Sequence, residues 1–376
     1  MERQIMAADD KTLREVGERY IVREIIQTLV PSPELLDGFG HDAAFLDLTL
    51  EHDEILVINS DRSGLNIAYQ LGLAGPECVG DLGISHAVSD IVAAGAEPKA
   101  LSVVLLLPPD TQVGFVRSLM QGAQAAARRY GAVLTGGDTK KNPKFAMVVT
   151  AIGTTPRHKR LTRSSAKTGD ALVVTGELGT MLLGTLAYKK QWNLSDNERK
   201  LLDLGLVNQQ PPFALGRALS EAGIARACMD ISDGLSGTLF SICGASQIGA
   251  IIEEDAIPIH DHLVSLAQSH NLRPMQLALG GGDWQYLYAI PMEHLSAARR
   301  IADRLGKTIS VIGRAIASQS IVAHTLEGEY RHLLRIEHDS FHDRRQGLGY
   351  FDSLGSPVNC FGKEVDTELQ AQIDLT

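Results

Sequence analysis

Two spacings of apolar residues alternate along the first 155 residues. Apolar positions recur at helical spacing between residues 11 and 30, just before Pro31, and this predicts an opening helix. Residues 76–95 predict a loop followed by a helix, and residues 108–130 predict a second helix. Shorter apolar runs predict strands over 43–48, 55–58, 101–107, 132–134 and 145–152. Elements that follow each other this closely predict an α+β unit.

A polar and basic segment, residues 154–169, separates this unit from a second one. Because 376 residues are long for one core, we expect two domains, over residues 1–155 and 156–350. Residues 351–376 carry few core-forming side chains, which predicts a loosely packed tail. In the second unit, strands are predicted over 171–174, 249–252, 287–290 and 309–312, and helices over 213–222 and 235–246.

Aspartates close several apolar runs or, at Asp90, interrupt an apolar helix. The stretch from Met229 to Leu235 passes through two aspartates, a serine and a glycine, which predicts a strand, a tight turn and a helix start. One such stretch alone favours a structural helix cap. The same pattern recurs, so shared cations carrying a polyphosphate explain the set better. The aspartates concerned are Asp42, Asp61, Asp90, Asp138 and Asp233.

Composition and charge narrow the class of partner. The net charge of −10 argues against nucleic acid or an anionic membrane as the main partner. The first residues lack the apolar core of a signal peptide, and no apolar run reaches membrane-spanning length. Four cysteines show neither close pairing nor zinc spacing. We therefore expect a cytoplasmic protein whose main partner is neither nucleic acid nor a membrane.

These motifs resemble a known family, thiamine-monophosphate kinase. Its superfamily includes aminoimidazole ribonucleotide synthetase, selenophosphate synthetase and the hydrogenase-maturation dehydratase. The ordered set carries the resemblance, because each piece alone is weak. The matching pieces are Gly40-His41-Asp42-Ala43-Ala44, Ser60-Asp61, Ser89-Asp90, Gly136-Gly137-Asp138-Thr139, Arg163 to Asp170, Thr175-Gly176-Glu177-Leu178-Gly179 and Asp230-Ile231-Ser232-Asp233-Gly234-Leu235.

The resemblance implies a two-domain PurM-like α/β (α+β) architecture. A mixed-sheet N-terminal domain would form a homodimer, and ATP with Mg²⁺ would lie in the cleft before the C-terminal α/β domain. Catalytic roles fall on Asp42, Asp138, Arg163 and Asp233. Metal-binding positions are Asp42, Asp61, Asp90, Asp138, Asp230 and Asp233. Nucleotide positions are Gly136, Gly137, Asp138, Thr139, Arg163 and Ser232, and acceptor positions are Asp61, Asp283 and Trp284.

Three residues depart from the family pattern. The kinases have two adjacent aspartates in the first motif, whereas His41 replaces the first of them here. A later motif loses both of its glutamates, so that Gly282 and Gln285 flank Asp283 and Trp284. Because the phosphate-side motifs persist and the acceptor-side motif changes, we expect ATP chemistry with an altered acceptor.

Two other functions stay open at this point. Residues 61–65 and 95–98 are similar to the synthetase branch, which activates an oxygen by phosphorylation before expelling it. The loss of motif residues also permits a paralogue that binds nucleotide without turnover. Cys360 does not match the reactive cysteine of the dehydratase branch, because its sequence context differs. His86 has packing on its helix face as its simplest role. Trp284 is predicted to line the acceptor pocket, with core packing as the alternative.

Overall fold

The protein is described from a computed structural model that covers residues 35–37, 41–47, 53–336, 360–366, 369–370 and 373. The helix predicted over residues 11–30 lies outside these residues. Two sheets with their own helices organise the described chain, as the α/β (α+β) prediction required.

The first sheet has six strands in the described residues, in the order β1-β2-β3-β6-β4-β5. Neighbouring strands are antiparallel except for β4 and β5, which run parallel. The strands are β1 (Leu35–Leu36), β2 (Ala44–Leu46), β3 (Glu54–Ser63), β4 (Glu97–Leu107), β5 (Val133–Lys141) and β6 (Ala146–Pro156).

Helices α2 (Pro76–Ala93) and α3 (Val113–Arg129) cover one face of this sheet. The short helix α1 (Ile67–Gln70) precedes them in the chain. Residues of β3 alternate, so that Ile55, Val57 and Asn59 point to the covered face and are buried. The two helices cross closely at glycine. A Cβ added at Gly80 would lie 1.8 Å from the carbonyl oxygen of Leu119.

Strand β5 runs further than the sequence predicted. We expected a strand over 132–134 and then a turn, but the strand continues through Gly136 and Gly137 to Lys141. The two glycines have φ angles of 131° and 150°. A Cβ at Gly137 would lie 1.6 Å from the carbonyl oxygen of Val103, so only glycine fits against β4 there. The glycines that suggested a turn are required for close strand pairing instead.

The second sheet has eight strands in the described residues, in the order β14-β13-β12-β9-β11-β7-β10-β8. Its strands are β7 (Ala171–Thr175), β8 (Ala227–Asp230), β9 (Gly249–Glu253), β10 (Tyr286–Ile290), β11 (Ile309–Ile316), β12 (Ile321–His324), β13 (Tyr330–Leu333) and β14 (Phe361–Glu364). Its helices are α4 (Thr180–Lys189), α5 (Asp196–Val207), α6 (Phe213–Ala222), α7 (Leu235–Ser246), α8 (Asp261–Ser269), α9 (Pro274–Ala278) and α10 (Leu295–Arg304).

Part of the predicted tail belongs to the second sheet. Strand β14 pairs with β13, and Cys360 and Phe361 are buried in the core of the second unit. Leu369 and Ile373 are also buried, against Val322. The expectation of loose packing is therefore wrong for these residues, whose few apolar side chains suffice because each one is buried.

Helix α2 joins the two units. One hydrophobic core contains Val57 of the first sheet, Val92 of α2, Leu215 of α6, and Tyr286 and Tyr288 of β10. Residues of α2 also contact β8 and α6. The last turn of α2 is therefore held between the two sheets, and this is where the candidate site lies.

Candidate functional site

Three aspartates converge at the junction of the two units. One carboxylate oxygen from each of Asp42, Asp90 and Asp230 lies within 4.8 Å of the other two. Asp42 precedes β2, Asp90 lies in the last turn of α2, and Asp230 ends β8. The three residues are far apart in sequence and come from both sheets and the helix between them. They form the group that we call the acidic cluster.

Neighbouring polar groups hold two members of the acidic cluster in place. The side-chain amide of Asn59 donates to Asp90 Oδ2 at 2.6 Å. The hydroxyls of Ser89 and Ser232 donate to the two carboxylate oxygens of Asp230 at 3.2 Å and 3.1 Å. Hydrogen bonds of this kind fix which oxygens remain available to a cation.

Arg163 pairs with the third member. Its guanidinium donates to both oxygens of Asp42, at 2.9 Å from Nε and 2.8 Å from Nη2. The side chain of Asp42 is only 5% exposed and that of Arg163 is 21% exposed. This two-bond pair places the positive charge of the guanidinium beside the other two aspartates of the cluster. The same two-bond geometry suits a phosphate group.

Burial and mutual repulsion disfavour negative charge in the cluster. Burial first, and then the charges of Asp230, Asp42 and Asp61, raise the pKa of Asp90 well above its ordinary value. Burial and the charge of Asp42 raise the pKa of Asp230 to about 8, although Arg163 opposes this. A bound divalent cation removes this repulsion. Because all the donors are carboxylate oxygens, the set fits Mg²⁺ better than a softer metal.

Asp61 and Asp233 lie beside the acidic cluster. Asp61 is two residues after Asn59 on β3 and therefore on the same face of the sheet, the face that α2 covers. Burial raises its pKa, and the charge of Asp233 raises it further. Asp233 is exposed in the turn before α7. The structure thus places five of the six predicted metal-binding aspartates in one region.

Asp138 is separated from that region within one chain. Gly137 on β5 pairs with Val103 on β4, which pairs with Val149 on β6, which in turn pairs with Asp61 on β3. Three strand spacings therefore separate Gly137 from Asp61, roughly 14 Å at about 4.8 Å per spacing. Asp138 pairs with Val104, so its side chain points to the opposite face, where it is 55% exposed and 3.7 Å from Lys140 Nζ. Gly136, Gly137 and Thr139 lie on the same edge strand.

Asp283 anchors the loop between α9 and β10. Its buried carboxylate accepts hydrogen bonds from the backbone amides of Gly179 at 2.6 Å and Met181 at 3.0 Å, at the start of α4. Burial raises the pKa of Asp283 to about 7, while these two bonds lower it. Asp283 is therefore occupied by the protein backbone, and it positions its neighbour Trp284.

A cavity of about 380 Å³ extends from the acidic cluster to Trp284. One end is acidic and the other is largely apolar. The indole of Trp284 stacks on the imidazole of His86, with ring centroids 3.5 Å apart and an angle of 10° between the planes. Residues that line the cavity include Asp61, Asp90, Asp230, Asp233, Leu65, Val79, Leu82, His86, Met181, Gln209 and Trp284.

Comparison with known proteins supplies the family. Two family models match, the N-terminal domain of AIR synthase related proteins over residues 40–155 and the C-terminal domain over residues 167–325. The chain belongs to the AIR synthase related family. Within this family it is similar to thiamine-monophosphate kinase of Synechococcus elongatus, at 30% identity over 81% of this chain and 90% of the relative. Another such kinase, from Methanospirillum hungatei, is 33% identical over 69% of this chain and 82% of the relative.

Solved structures agree with this assignment. A structure described as AaThiL complexed with AMPPCP and TMP has a TM-score of 0.70 and 25% identity, covering 83% of this chain and 95% of that chain. A Thermus thermophilus structure has a TM-score of 0.71 and 27% identity, covering 83% of this chain and 98% of that one. The HypE proteins share the fold, with a TM-score of 0.67 and 19% identity for the Escherichia coli protein. The PurM-like two-domain architecture is confirmed.

Residues that set this chain apart from the pattern of the kinases also have defined positions. The ring of His41 packs edge-on against Phe45, and its Nε2 contacts the carbonyl oxygen of Asp37 at 3.2 Å. It therefore packs the loop that carries Asp42. Cys360 is buried, and burial raises the pKa of its thiol to about 12. Such a thiol is a poor nucleophile, unlike the reactive cysteine of the dehydratase branch.

Sequence reasoning missed some contributors to the site. Asn59 gave a usable signal, because it precedes Asp61 by two residues in a strand and must share its face. Ser89 lies in the matched motif, but its bond to Asp230 crosses from one unit to the other. Gln209, which lines the cavity, gave no signal in the sequence.

Among the described residues, no helix combines the length and the apolar character needed to cross a bilayer.

Proposed function

We propose that this protein is an ATP- and Mg²⁺-dependent phosphotransferase that acts on a small acceptor. The observation that carries this proposal is the meeting of Asp42, Asp90 and Asp230 at the junction of the two units. Membership of a family that includes thiamine-monophosphate kinases supports ATP as the donor. The similar AaThiL structure is described as a complex with AMPPCP, an ATP analogue, and this also supports ATP as the donor.

The acidic cluster would hold Mg²⁺, with Asp61 and Asp233 available to a second ion. Bound Mg²⁺ neutralises phosphate charge during transfer between oxygen atoms. The protein's own contribution is to orient the carboxylates through Asn59, Ser89 and Ser232. Arg163, held by Asp42, provides a fixed positive charge next to the phosphates. Burial of Asp42 and Asp230 limits the access of water to the transfer.

The Gly136–Thr139 segment would bind the nucleotide from a second protomer. Its side of the first sheet is not packed by any described helix, and it presents Leu56, Ile58, Val104 and Val148 as partly exposed apolar residues. Packing two such faces together would bury them and would place Asp138 at the interface. We therefore infer a homodimer in which Asp138 contributes to the site from the dimer interface.

The acceptor would occupy the cavity between the acidic cluster and Trp284. Thiamine monophosphate is the first candidate because of the relatives. The loss of both motif glutamates, at Gly282 and Gln285, favours an altered acceptor. Gln285 forms a hydrogen bond within the protein, since its side-chain oxygen accepts from the Thr175 hydroxyl at 3.1 Å.

All four cysteines are free thiols, which supports a cytoplasmic location.

A measurement of ADP release tests this function. The purified protein is incubated with ATP, Mg²⁺ and a panel of acceptors that begins with thiamine monophosphate. We expect ADP and a phosphorylated acceptor in equal amounts, and no reaction when the metal is chelated. Asp90→Asn should lower turnover on the order of 100-fold, whereas Asp110→Asn, an exposed acid outside the site, should leave it unchanged.

Three results would contradict the proposal. Full turnover by the Asp90→Asn variant would remove the acidic cluster from the mechanism. Free phosphate formed in step with a dehydrated or ring-closed product would identify the synthetase or dehydratase reaction instead. ATP binding without turnover of any acceptor would identify a nucleotide-binding paralogue.

A further inference from the structure

Two side-chain atoms in the cavity wall, Ser63 Oγ and His86 Nε2, have no hydrogen-bond partner among the described residues. His86 lines the cavity, and its side chain is buried. Its Nε2 atom is shielded from solvent and makes no hydrogen bond among the described residues. A buried polar atom in this state has lost its hydration without compensation unless a ligand or a water molecule satisfies it. The atom therefore indicates a ligand contact.

The protonation state of the His86 imidazole determines whether its Nε2 can donate or accept a hydrogen bond. Burial lowers the pKa of His86 to about 3, so the ring is neutral near pH 7. A hydrogen bond with the backbone of Gln209 raises the pKa, and a bond with that effect has the imidazole as donor. The single proton of the neutral ring is used in this bond. Nε2 is thus a lone-pair acceptor.

Trp284, whose indole stacks on His86, has an unusual backbone conformation. Trp284 has a φ of 51°, in the left-handed region that a bulky residue rarely adopts. Asp283 fixes the chain on one side of it by bonding the amides at the start of α4. The indole covers the imidazole and is itself only partly buried. A flat ring can therefore enter the cavity along the indole and reach the edge of His86.

We propose that His86 is a specificity residue whose Nε2 accepts a hydrogen bond from an N–H group on a flat ring of the acceptor. The inference rests on the proposed function, because it assigns the cavity to the acceptor. The acidic end of the cavity takes the phosphate of the acceptor through bound cations. Trp284 shifts against His86 to admit the ring, so binding also changes the environment of the indole.

Binding of aminopyrimidine phosphates tests this inference. The probes are thiamine monophosphate and cytidine 5′-monophosphate, with inorganic phosphate as the probe that lacks a ring. Calorimetry in the presence of Mg²⁺ compares the wild-type protein with His86→Phe, which keeps a flat ring against Trp284 but has no acceptor atom. We expect about a 10-fold loss of affinity for at least one ring probe, with ATP and inorganic phosphate unaffected.

The chain offers a matched control. His270 stacks on Trp192 with the same centroid distance of 3.5 Å and an angle of 4°, away from the residues that line the cavity. His270→Phe should leave all affinities unchanged. In a Trp192→Phe background, Trp284 is the remaining tryptophan, and its fluorescence should change with the ring probes and not with phosphate.

Distinct outcomes separate this inference from the proposed function. Equal affinity of wild type and His86→Phe for the ring probes would overturn the role of His86. Failure of the wild type to bind either ring probe, while it binds ATP, would also overturn it and would leave the phosphotransferase in place. Failure to bind ATP with Mg²⁺ would instead contradict the proposed function.

Discussion

At the scale of single residues, the site is a group of carboxylates that repel one another. Asp230 is the clearest case, since it is 2% exposed and Asp42 and Asp90 face it. Its hydrogen bonds from Ser89 and Ser232 only partly offset the loss of hydration. This arrangement supports the proposed cation site, because it lowers the stability of the cation-free protein.

This repulsion predicts how stability depends on pH. The pKa of Asp230 rises from 3.8 to about 8 on folding, so the folded protein holds a proton that the unfolded chain releases. Without divalent cations, the free energy of unfolding should fall as the pH rises from about 4 to about 8. Mg²⁺ should reverse much of this loss, because it binds the folded state. Thermal unfolding in EDTA and in Mg²⁺ measures both effects.

Asp230→Asn should remove the pH dependence that this residue causes. In EDTA at pH 8, we expect the variant to be more stable than the wild type by about 1–2 kcal/mol, because a buried charge is lost. The variant should gain little from Mg²⁺. Asp110→Asn is the control, since Asp110 is exposed. A variant that is less stable than the wild type in EDTA at pH 8 would contradict this account of the cluster.

At the scale of elements, strand alternation explains what the sequence could and could not predict. The apolar pattern of β3 predicts that Asn59 and Asp61 share the face that packs against α2. The same reasoning fails for Asp138, because the pairing of β4 and β5 shifts by one residue between Leu134 and Gly136. One extra residue reverses the face of every side chain that follows. A bulge of this kind leaves no periodic signal.

The bulge also predicts a difference between two neighbouring glycines. Gly136 and Gly137 both have positive φ angles, but a Cβ would meet nothing within 4 Å at Gly136 and would lie 1.6 Å from the Val103 carbonyl oxygen at Gly137. Gly137→Ala should therefore destabilise the protein by about 2 kcal/mol more than Gly136→Ala. Urea unfolding of both variants measures the difference. Equal losses would show that the β4–β5 approach is not constrained.

At the scale of the whole molecule, the site depends on how the two units meet. The convergence of Asp42, Asp90 and Asp230 could be expected from the family resemblance but not from local pattern, since three separate elements supply them. Most strands of the two sheets, and helices α2, α3, α6 and α7, were predicted from apolar patterns in the sequence. The packing of Cys360 and Phe361 was not, because so short an apolar segment does not reveal its partner strand.

The open face of the first sheet predicts the assembly. We expect the protein to be a dimer in solution, with a mass twice the 40.6 kDa of the chain. Val148→Glu, in the middle of that face, should shift the protein to monomers, because a charge would be buried between two apolar surfaces. Val113→Glu, at a position that is 75% exposed, should not. Sedimentation equilibrium measures the masses. A wild-type monomer would contradict the assignment of Asp138 to an interface.

The central claim is that aspartates from both units hold divalent ions for a nucleotide. Crystals grown with Mn²⁺ and a non-hydrolysable ATP analogue test it most directly, because manganese is located by its anomalous scattering. The account predicts at least one manganese peak within about 2.2 Å of carboxylate oxygens from Asp42, Asp90 or Asp230, next to the phosphates. A bound nucleotide with no metal at these three carboxylates would contradict it.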